Sequence, residues 1–400
     1  MHIIKNKMKE NNQNNNNNTI KNDKDIGTFI EKKRLKKMRM IGTTLVFGVV
    51  LIISICLIKV SIKYGNYKEI SSIDNITTNN YNYIHFSDGV IEYSNNGMSY
   101  KKNSDKYVWT YAEQIARPLI DTYENTGVLA DLDGNKIIPF DDEKIGTAIK
   151  NDKKIVVARA IGKGDIATLS QSGQNYYINL YRSNGDQILE IRSTLVTNGI
   201  PIDFMVSKNR DRLYVLYVHV SNDGNNSKLI EYNISNKDDN QDDKVVNKFE
   251  YKNEVLSHIS YLGDSTLCVT GAKNIYIYDI NNNLSEKVGD YIDYTENIYV
   301  RDNAFIQIGN VDDTTQISIL DKNMNVRLYK NIKQVYNKIC VSEKEIIFIN
   351  DNKLSAYKFN GQHYFDFTFD TRIKDVIDAG DDSYIVTLEG KILRLKPSLF

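Results

Sequence analysis

The fold is decided by a short stretch of alternating residues, Asn274-Ile275-Tyr276-Ile277-Tyr278-Asp279-Ile280, which runs directly into Asn281-Asn282-Asn283. In an extended strand successive side chains point to opposite faces, so Ile275 and Ile277 lie on one face and Tyr276 and Tyr278 on the other. The asparagines that follow favour a turn, because their side chains hydrogen-bond the local backbone and tolerate left-handed conformations. The stretch therefore predicts a β-strand that ends in a tight turn.

The same pattern, four strand residues before a turn, recurs along the chain. The fourth residue of each copy is Tyr or Leu, except for Asp131 in the second copy. The eight copies begin at Val90, Val128, Ile178, Leu229, Ile275, Ile317, Leu354 and Ile392, at intervals of 37 to 51 residues. A period of about 40–50 residues is typical of the four-stranded blades of a β-propeller.

We therefore expect an all-β protein whose main part is a β-propeller, with eight blades favoured. Seven blades are the alternative, since the second copy is short and irregular. A β-solenoid would have shorter coils, and a pair of sandwiches would not space its hairpins so evenly. Most copies follow another apolar run that we interpret as an inner strand; these runs are residues 155–160, 213–220, 267–270, 304–308, 345–349 and 384–388.

The last copy ends at Lys396 and Pro397, with no further strand behind it. A sheet edge left open in this way invites pairing with another chain, so natural folds pair it or cover it. We predict that a segment between Tyr67 and Asn75 supplies the missing outer strand and closes the ring.

A membrane anchor is predicted near the N-terminus. Residues 40–58 are 19 positions without a charged side chain, which at about 1.5 Å per residue just cover a hydrocarbon core of roughly 30 Å. Basic residues crowd residues 32–39, and positive flanks stay in the cytoplasm. The long leader and the lack of a small-x-small site favour an uncleaved anchor over a signal peptide. Ile55 before Cys56 argues against a lipoprotein site.

These patterns divide the chain into four parts. Residues 1–39 form a disordered, basic, Asn-rich cytoplasmic tail, in which the polar run 11–18 offers no apolar surface to offset the entropy of ordering. Residues 40–60 are the transmembrane helix, residues 61–80 a linker with the ring-closing strand, and residues 81–400 an extracytoplasmic propeller. Residues 1–40 carry eleven Lys/Arg and four Asp/Glu in a chain of zero net charge. The outer part is therefore acidic, which argues against a nucleic-acid partner.

We find no residue to nominate as catalytic, cofactor-binding or metal-binding. The five histidines show no i,i+2 or i,i+4 pairing, and the chain lacks a GxSxG elbow and a phosphate-binding GxxxxGK[ST] loop. The three cysteines form no CxxC motif, so Cys268 and Cys340 are expected to be buried free thiols. The single tryptophan, Trp109, is interpreted as a packing residue between blades.

Three stretches allow a second interpretation. Asp131-Leu132-Asp133-Gly134-Asn135 begins like a calcium loop with Asp142 at the twelfth place, but Lys136 stands where glycine is required, so we favour an Asp-Gly hairpin turn. The acidic stretch 237–244 is interpreted as a solvated loop rather than a cation or partner site. Residues 162–174 are rich in Gly and Ser and are interpreted as a mobile loop.

Residues 86–97, 108–111, 117–121 and 177–181 are similar to an uncharacterised family. Its members are membrane-anchored, propeller-like proteins of spore-forming Gram-positive bacteria, and the resemblance spans roughly residues 40–396. It implies an anchored propeller and brings no activity, since the family has no assigned catalytic residues. The second repeat departs from the usual hairpin, which leaves the number of blades open.

We expect a membrane-anchored, extracytoplasmic binding or scaffold module that is not an enzyme. Its partners would be the lipid bilayer, through residues 40–60, and an envelope protein, a peptide or a wall polymer. The alternative is a glycan-active hydrolase with carboxylates gathered at the propeller channel. Three or more inward carboxylates or histidines at one channel mouth would favour the enzyme, whereas small or apolar lining residues would favour the binding module.

Overall fold

A computed structural model describes twelve segments of the chain: residues 32–54, 62–74, 81–102, 106–221, 224–235, 244–263, 265–271, 274–280, 284–290, 295–301, 304–333 and 336–399. It separates into two compact units, Met1–Ile62 and Lys63–Phe400. The described part of the first unit is one helix, α1, Lys32–Ser54. The second unit is built from β-strands.

The strands of the second unit are β1 Asn66–Asp74, β2 Asn82–Phe86, β3 Gly89–Ser94, β4 Gly97–Lys102, β5 Tyr107–Tyr111, β6 Pro118–Tyr123, β7 Thr126–Asp131, β8 Lys136–Asp141, β9 Ile149–Lys150, β10 Lys154–Ala160, β11 Ile166–Ser172, β12 Asn175–Tyr181, β13 Gln187–Thr194, β14 Ile200–Val206, β15 Arg212–Ser221, β16 Gly224–Asn233, β17 Val245–Tyr251, β18 Leu256–Tyr261, β19 Thr266–Gly271, β20 Asn274–Asp279, β21 Leu284–Asp290, β22 Thr295–Arg301, β23 Ala304–Val311, β24 Thr314–Leu320, β25 Val326–Ile332, β26 Lys338–Val341, β27 Glu345–Asn350, β28 Lys353–Lys358, β29 His363–Thr368, β30 Ile373–Asp378, β31 Tyr384–Leu388 and β32 Lys391–Ser398.

These strands form eight four-stranded sheets, the blades of a β-propeller. Blade 1 is β2–β5, blade 2 is β6–β9, blade 3 is β10–β13 and blade 4 is β14–β17. Blade 5 is β18–β21, blade 6 is β22–β25, blade 7 is β26–β29, and blade 8 joins β30–β32 to β1. Within each blade consecutive strands pair antiparallel, as alternating sequences with tight turns require. The all-β prediction and the favoured number of blades are confirmed.

Seven clusters of buried apolar side chains hold neighbouring blades together, one at each interface from blades 1 and 2 to blades 7 and 8. Between blades 3 and 4, for example, Leu169 and Ile178 pack in one cluster with Phe204 and Leu213. Both faces of a middle strand are covered in this arrangement, which explains why strands such as β23 are apolar on both faces. Burial of this apolar surface is the main term that stabilises the ring.

Strand β1 closes the ring. It pairs antiparallel with β32, from Asn66 opposite Ser398 to Asp74 opposite Lys391, with a bulge between Glu69 and Ser71. This pairing confirms the prediction that the segment from Tyr67 onward is the outer strand of the last blade. Asn75, the predicted end of that segment, lies outside the described residues.

Just before β1, the chain also contacts the preceding blade. Tyr64 forms a parallel bridge with Phe365 of β29. The backbone nitrogen of Tyr64 donates to Tyr364 O at 2.9 Å, and Lys63 Nζ lies 2.6 Å from an oxygen of Asp366. Residues 63–74 therefore join the outer edges of blades 7 and 8.

The position of the repeats within the blades differs from our interpretation. Six copies, from Ile178 onward, lie on third strands, but Val90 and Val128 lie on the second strands β3 and β7. Likewise, of the runs interpreted as inner strands only residues 155–160 fall on a first strand, β10. The other five lie on second strands, because second and third strands are both buried and apolar and alternation does not distinguish them.

The interpretation of residues 162–174 as a mobile loop is wrong. Residues 166–172 form β11, the second strand of blade 3, and Ile166, Ala167 and Leu169 are almost fully buried. Only residues 161–165, around Gly162 and Gly164, connect β10 to it. Both glycines have positive φ values of 85° and 76°, so they shape a turn rather than a long loop.

The remaining boundary predictions are only partly within the described residues. Helix α1 has the length and composition to cross a membrane, which fits the span predicted over residues 40–60 as far as Ser54. It begins at Lys32, so residues 32–39 are helical and not disordered as predicted for the tail 1–39. The Asn-rich run 11–18 and most of the acidic stretch 237–244 lie outside the part of the chain that the structure describes.

Candidate functional site in the central channel

The first strands of the blades lie on the side of the central channel, where β6 contacts β10, β14 contacts β18, β18 contacts β22 and β30 contacts β2. Five of these strands contain a bulge at an equivalent place, one residue that is skipped in the pairing with the second strand. The register shifts lie between Ile155 and Val157, Pro201 and Asp203, Leu256 and His258, Thr295 and Asn297, and Ile373 and Asp375. A bulge re-aims the side chain that follows it, and in blades 4 and 5 those side chains are Asp203 and His258.

Asp203 is buried and joins three successive blades. Its Oδ1 atom lies 2.5 Å from a guanidinium nitrogen of Arg159 in blade 3, and it also accepts the Phe204 N–H at 2.9 Å. Its Oδ2 atom contacts His258 Nδ1 at 2.7 Å and accepts the Ile259 N–H at 2.9 Å, both in blade 5. Four donors thus surround one carboxylate that is 5% exposed, which compensates for its burial.

His258 continues this chain of contacts to Ser260. The two residues lie two apart on β18 and therefore on the same face of the strand. Ser260 Oγ is 2.6 Å from His258 Nε2, while the opposite ring nitrogen faces Asp203. The His258 side chain is half exposed and Ser260 is partly exposed. The result is a Ser–His–Asp relay that can be reached from solvent.

Other acidic side chains on first strands make contacts between blades. Asp121 Oδ2 in blade 2 accepts the Ala160 N–H of blade 3 at 2.8 Å, and burial raises the pKa of this carboxyl above its ordinary value. Asp375 in blade 8 lies 2.7 Å from Lys338 Nζ in blade 7. The carboxylates of Asp121, Asp203 and Asp375 are thus each used to join one blade to the next.

A second feature is a cavity of about 320 Å³ between blades 7 and 8. It lies where β26 and β30 begin, beside the turns after β27 and β31. Three basic and two acidic side chains line it, together with Asn337, Ile349 and Ile373; the charged residues are Lys338, Asp351, Arg372, Lys374 and Glu389. Backbone hydrogen bonds from Ile373 N to Asp351 O and from Glu389 N to Arg372 O fix its walls.

The interface between blades 8 and 1 differs from the other seven. Among the described residues it contains no buried apolar cluster of the kind found elsewhere. It contains instead a small cavity of about 60 Å³, lined by Tyr83, Glu92, Lys101 and Arg394 together with apolar side chains such as Ile392. Burial and the nearby Glu92 raise the pKa of Tyr83 above its ordinary value.

The residues that the sequence singled out have structural roles. Trp109 packs between blades 1 and 2, as predicted: its ring lies 5.5 Å from those of Tyr100 and Phe140, and its Nε1 donates to Asp141 O at 2.9 Å. Asp131 lies at a hairpin turn between β7 and β8, which confirms the turn interpretation, and its carboxylate accepts the Arg117 N–H. Cys268 is a buried free thiol, as predicted, whereas the free thiol of Cys340 belongs to a residue that is only partly buried.

The relay was not predicted from the sequence. Asp203 and His258 are 55 positions apart, and neither lies in a local motif, so only the contact between β14 and β18 of the next blade brings them together. The one available signal is His258 and Ser260 in i,i+2 spacing on a strand. No group of three metal-ligating side chains is found in the described segments.

Comparisons with known proteins agree with this architecture. A family model described as "Family of unknown function (DUF5711)" matches residues 60–396. No curated protein matches the chain. BamB from Moraxella catarrhalis is a similar solved structure, with 11% identity, a TM-score of 0.50, and coverage of 83% of this chain and 100% of that chain.

Another similar structure is Sqt1 from Chaetomium thermophilum bound to the N-terminus of the ribosomal protein L10. It has 9% identity, a TM-score of 0.55, and coverage of 83% of this chain and 100% of that chain. At such low identities the likeness concerns the fold alone. The family match covers most of the chain, and the protein thus belongs to the family of unknown function DUF5711.

Proposed function

We propose that this protein is a membrane-anchored binding module that displays an eight-bladed propeller on the outer face of a bacterial membrane. The observation that carries the proposal is the cavity of about 320 Å³ between blades 7 and 8, on a ring whose blades are fixed by apolar clusters. Ligand pockets typically measure about 300–1,000 Å³ and are largely preformed. A rigid ring with such a pocket is suited to binding.

The partner that we favour is a protein or peptide segment. The cavity lining carries both charges: the Arg372 guanidinium lies 3.7 Å from the Asp351 carboxylate, and Lys374 and Glu389 add one charge of each sign beside the apolar side chain of Ile349. Peptide backbones and their mixed side chains match such a lining better than a uniformly charged polymer does. A propeller of similar fold, Sqt1, is recorded with a protein N-terminus bound.

Two features support membrane anchoring with an outer propeller. Helix α1 is apolar enough to span a bilayer, and its flank at residues 32–39 is basic, which favours a cytoplasmic N-terminus. In sequence the helix is followed, after a short linker, by β1, so the anchor leads into the strand that closes the ring. A short tether keeps a binding module at high local concentration near membrane partners.

A glycan hydrolase is supported less well. Such enzymes use a pair of carboxyl groups, one as general acid and one as base or nucleophile. On the first strands Asp203 and Asp375 are paired with Arg159 and Lys338, and Asp121 accepts a backbone N–H. We therefore propose binding, rather than glycan hydrolysis, as the principal role.

Site-specific photo-crosslinking in intact cells tests the binding proposal. A photoreactive residue at Glu389 borders the cavity, whereas the same residue at Lys344 lies on the turn at the opposite end of blade 7. We expect one defined protein adduct from position 389 and none from position 344. The purified partner should bind the full-length protein, and Arg372→Glu should weaken that binding about tenfold or more while Lys344→Glu does not. Equal adducts from both positions, or none, would contradict the proposal.

Membrane topology is tested separately. The experiment starts from a variant without native cysteines and places a single cysteine at exposed Lys163 or at Lys33. A membrane-impermeant maleimide is then added to intact cells, and the labelling of the two variants is compared. We expect labelling at position 163 only. Labelling at position 33 only would show the opposite orientation.

A further inference from the structure

We propose that Ser260 is a nucleophile that accepts an acyl group from a carboxylic ester, with His258 as its general base. This inference goes beyond the proposed binding function and does not depend on it. It rests on the relay in the channel, in which Ser260 Oγ lies 2.6 Å from His258 Nε2 and His258 Nδ1 lies 2.7 Å from Asp203 Oδ2. Both distances are within the range in which a base can take the proton of a nucleophile.

The surroundings of Asp203 prepare the imidazole for this task. The carboxylate is held in place by Arg159, by the Phe204 N–H and by the Ile259 N–H. It therefore accepts the Nδ1–H of a neutral His258 and leaves the Nε2 lone pair directed at the Ser260 hydroxyl. Asp203 is a positioning residue in this scheme, since it touches neither the ester nor the nucleophile.

The chemical step is an ordinary acyl transfer. Ser260 Oγ attacks the ester carbonyl carbon as its proton moves to His258 Nε2, and the C–O bond to the alcohol breaks as that proton passes to the leaving alcohol. Water then attacks the acyl-serine, with His258 again taking and returning a proton, and the products are an alcohol and a carboxylic acid. This hydrolysis requires neither a metal ion nor a redox partner.

The backbone of β18 offers a donor for the negative oxygen that develops during the attack. The Leu262 N–H donates to Thr266 O in the neighbouring strand, whereas the Ile259 N–H points the other way, to Asp203. Because N–H directions alternate along a strand, the Tyr261 N–H points to the same side as that of Ile259. It belongs to the residue directly after the nucleophile, where a backbone donor can stabilise an oxyanion.

A substrate can reach the Ser260–His258–Asp203 relay from solvent. The side chain of His258 is 50% exposed, while that of Asp203 is only 6% exposed. A substrate can therefore approach the imidazole and the serine from the channel while the carboxylate stays dry. This distribution resembles a working relay more than a hydrogen-bond cluster buried for stability.

Covalent labelling of the full-length protein in membranes tests the proposal. A fluorophosphonate probe forms a stable adduct with an activated serine, and peptide mapping identifies the modified residue. We expect the adduct on Ser260, its loss in Ser260→Ala, and its retention in Ser257→Ala, which removes an exposed serine from the same strand.

The role of His258 gives the second readout. We expect His258→Ala to slow labelling about 100-fold or more, and added imidazole to restore part of the rate, an effect that a merely structural histidine would not show. No adduct at Ser260 under saturating probe, or an unchanged labelling rate in His258→Ala, would overturn the proposal.

Discussion

Glu345 is a buried carboxyl group at the interface of blades 7 and 8. It is 3% exposed and accepts a hydrogen bond from the Tyr384 hydroxyl. Burial raises the pKa of this carboxyl from 4.5 to about 7, although the hydrogen bond from Tyr384 acts in the opposite direction. The folded protein therefore holds a proton at Glu345 over a pH range in which the unfolded chain releases it.

This proton makes stability depend on pH. Between about pH 4.5 and pH 7 the folded state binds more protons than the unfolded state, so the free energy of unfolding falls as pH rises through that window. We expect Glu345→Gln to stabilise residues 63–400 at pH 8, by at most roughly 3.5 kcal/mol on the basis of about 1.4 kcal/mol per pKa unit, and to have little effect at pH 4.5. Urea unfolding at both pH values measures the difference.

The control for this experiment is Glu143→Gln, which changes an exposed glutamate. Its effect should be small at both pH values. A gain from Glu345→Gln that is the same at pH 4.5 and pH 8 would show that burial of the charge is not the cause.

Trp109 tests the packing of blades 1 and 2. The side chain is 9% exposed and lies in the apolar cluster with Phe86, Tyr100 and Phe140. Trp109→Ala should lower the free energy of unfolding by about 3–5 kcal/mol, because it leaves a large cavity. Trp109→Phe should lower the free energy of unfolding by less, because it keeps an aromatic ring in the cluster, although it loses the hydrogen bond to Asp141 O. Circular dichroism in denaturant measures both; equal costs would contradict the packing role.

At the scale of elements, the ring-closing strand β1 is the part whose removal should matter most. A fragment of residues 63–400 keeps β1, whereas a fragment of residues 75–400 lacks it and leaves β32 with an unpaired edge. We expect the longer fragment to be monomeric and to unfold cooperatively. The shorter fragment should unfold at a much lower temperature and self-associate through the open edge.

Calorimetry and light scattering on the two fragments test this expectation. The twelve residues that distinguish the two fragments include Tyr67, whose ring lies near those of Phe367 and Phe369. A Tyr67→Ala variant of the longer fragment loses this packing but keeps the pairing of β1 with β32, so it separates the two effects. If residues 75–400 unfolded like residues 63–400, β1 would not close the ring in solution.

The sequence allowed the blades to be counted but not all their strands to be placed. A turn after an alternating strand marks one hairpin in each repeat, so the number of repeats equals the number of blades. In blades 1 and 2 the marked strand is the second, as at Val90, because β3 and β7 carry the same apolar alternation as the third strands elsewhere. Burial on both faces, rather than strand order, produces that signal.

The candidate site was less predictable than the fold, for a physical reason. Asp203 and His258 come into contact because a bulge in each first strand re-aims them and because blade 5 follows blade 4 around the ring. A bulge is one skipped pairing, which leaves no mark in the residue pattern. Trp109, by contrast, was predictable since a large aromatic side chain in a β-rich chain is usually part of the core.

At the scale of the whole molecule, the ring has one interface unlike the rest. Blades 8 and 1 meet around a small cavity with charged walls, whereas apolar clusters fill the other seven interfaces in the described part of the chain. Less apolar surface is buried there, so local opening should cost least at this interface.

Native-state hydrogen exchange tests this expectation on residues 63–400. Amides of β3 and β32, which border the cavity, should exchange faster than amides of β15 and β16, which have apolar clusters on both sides. Ladder hydrogen bonds are present in all four strands, so pairing alone does not explain a difference. Uniform protection around the ring would contradict the expectation.

The pairing of β1 with β32 joins the first strand of the domain to the last. A ribosome produces β1 before all the other strands and β32 after them, so the first strand has no partner until the final residues have been made. Every intermediate on the way has seven blades or fewer and an unsatisfied edge. Closure of the ring therefore follows the synthesis of β32, and a chain that stops short of residue 391 leaves β1 without its partner strand, however well its earlier blades have formed.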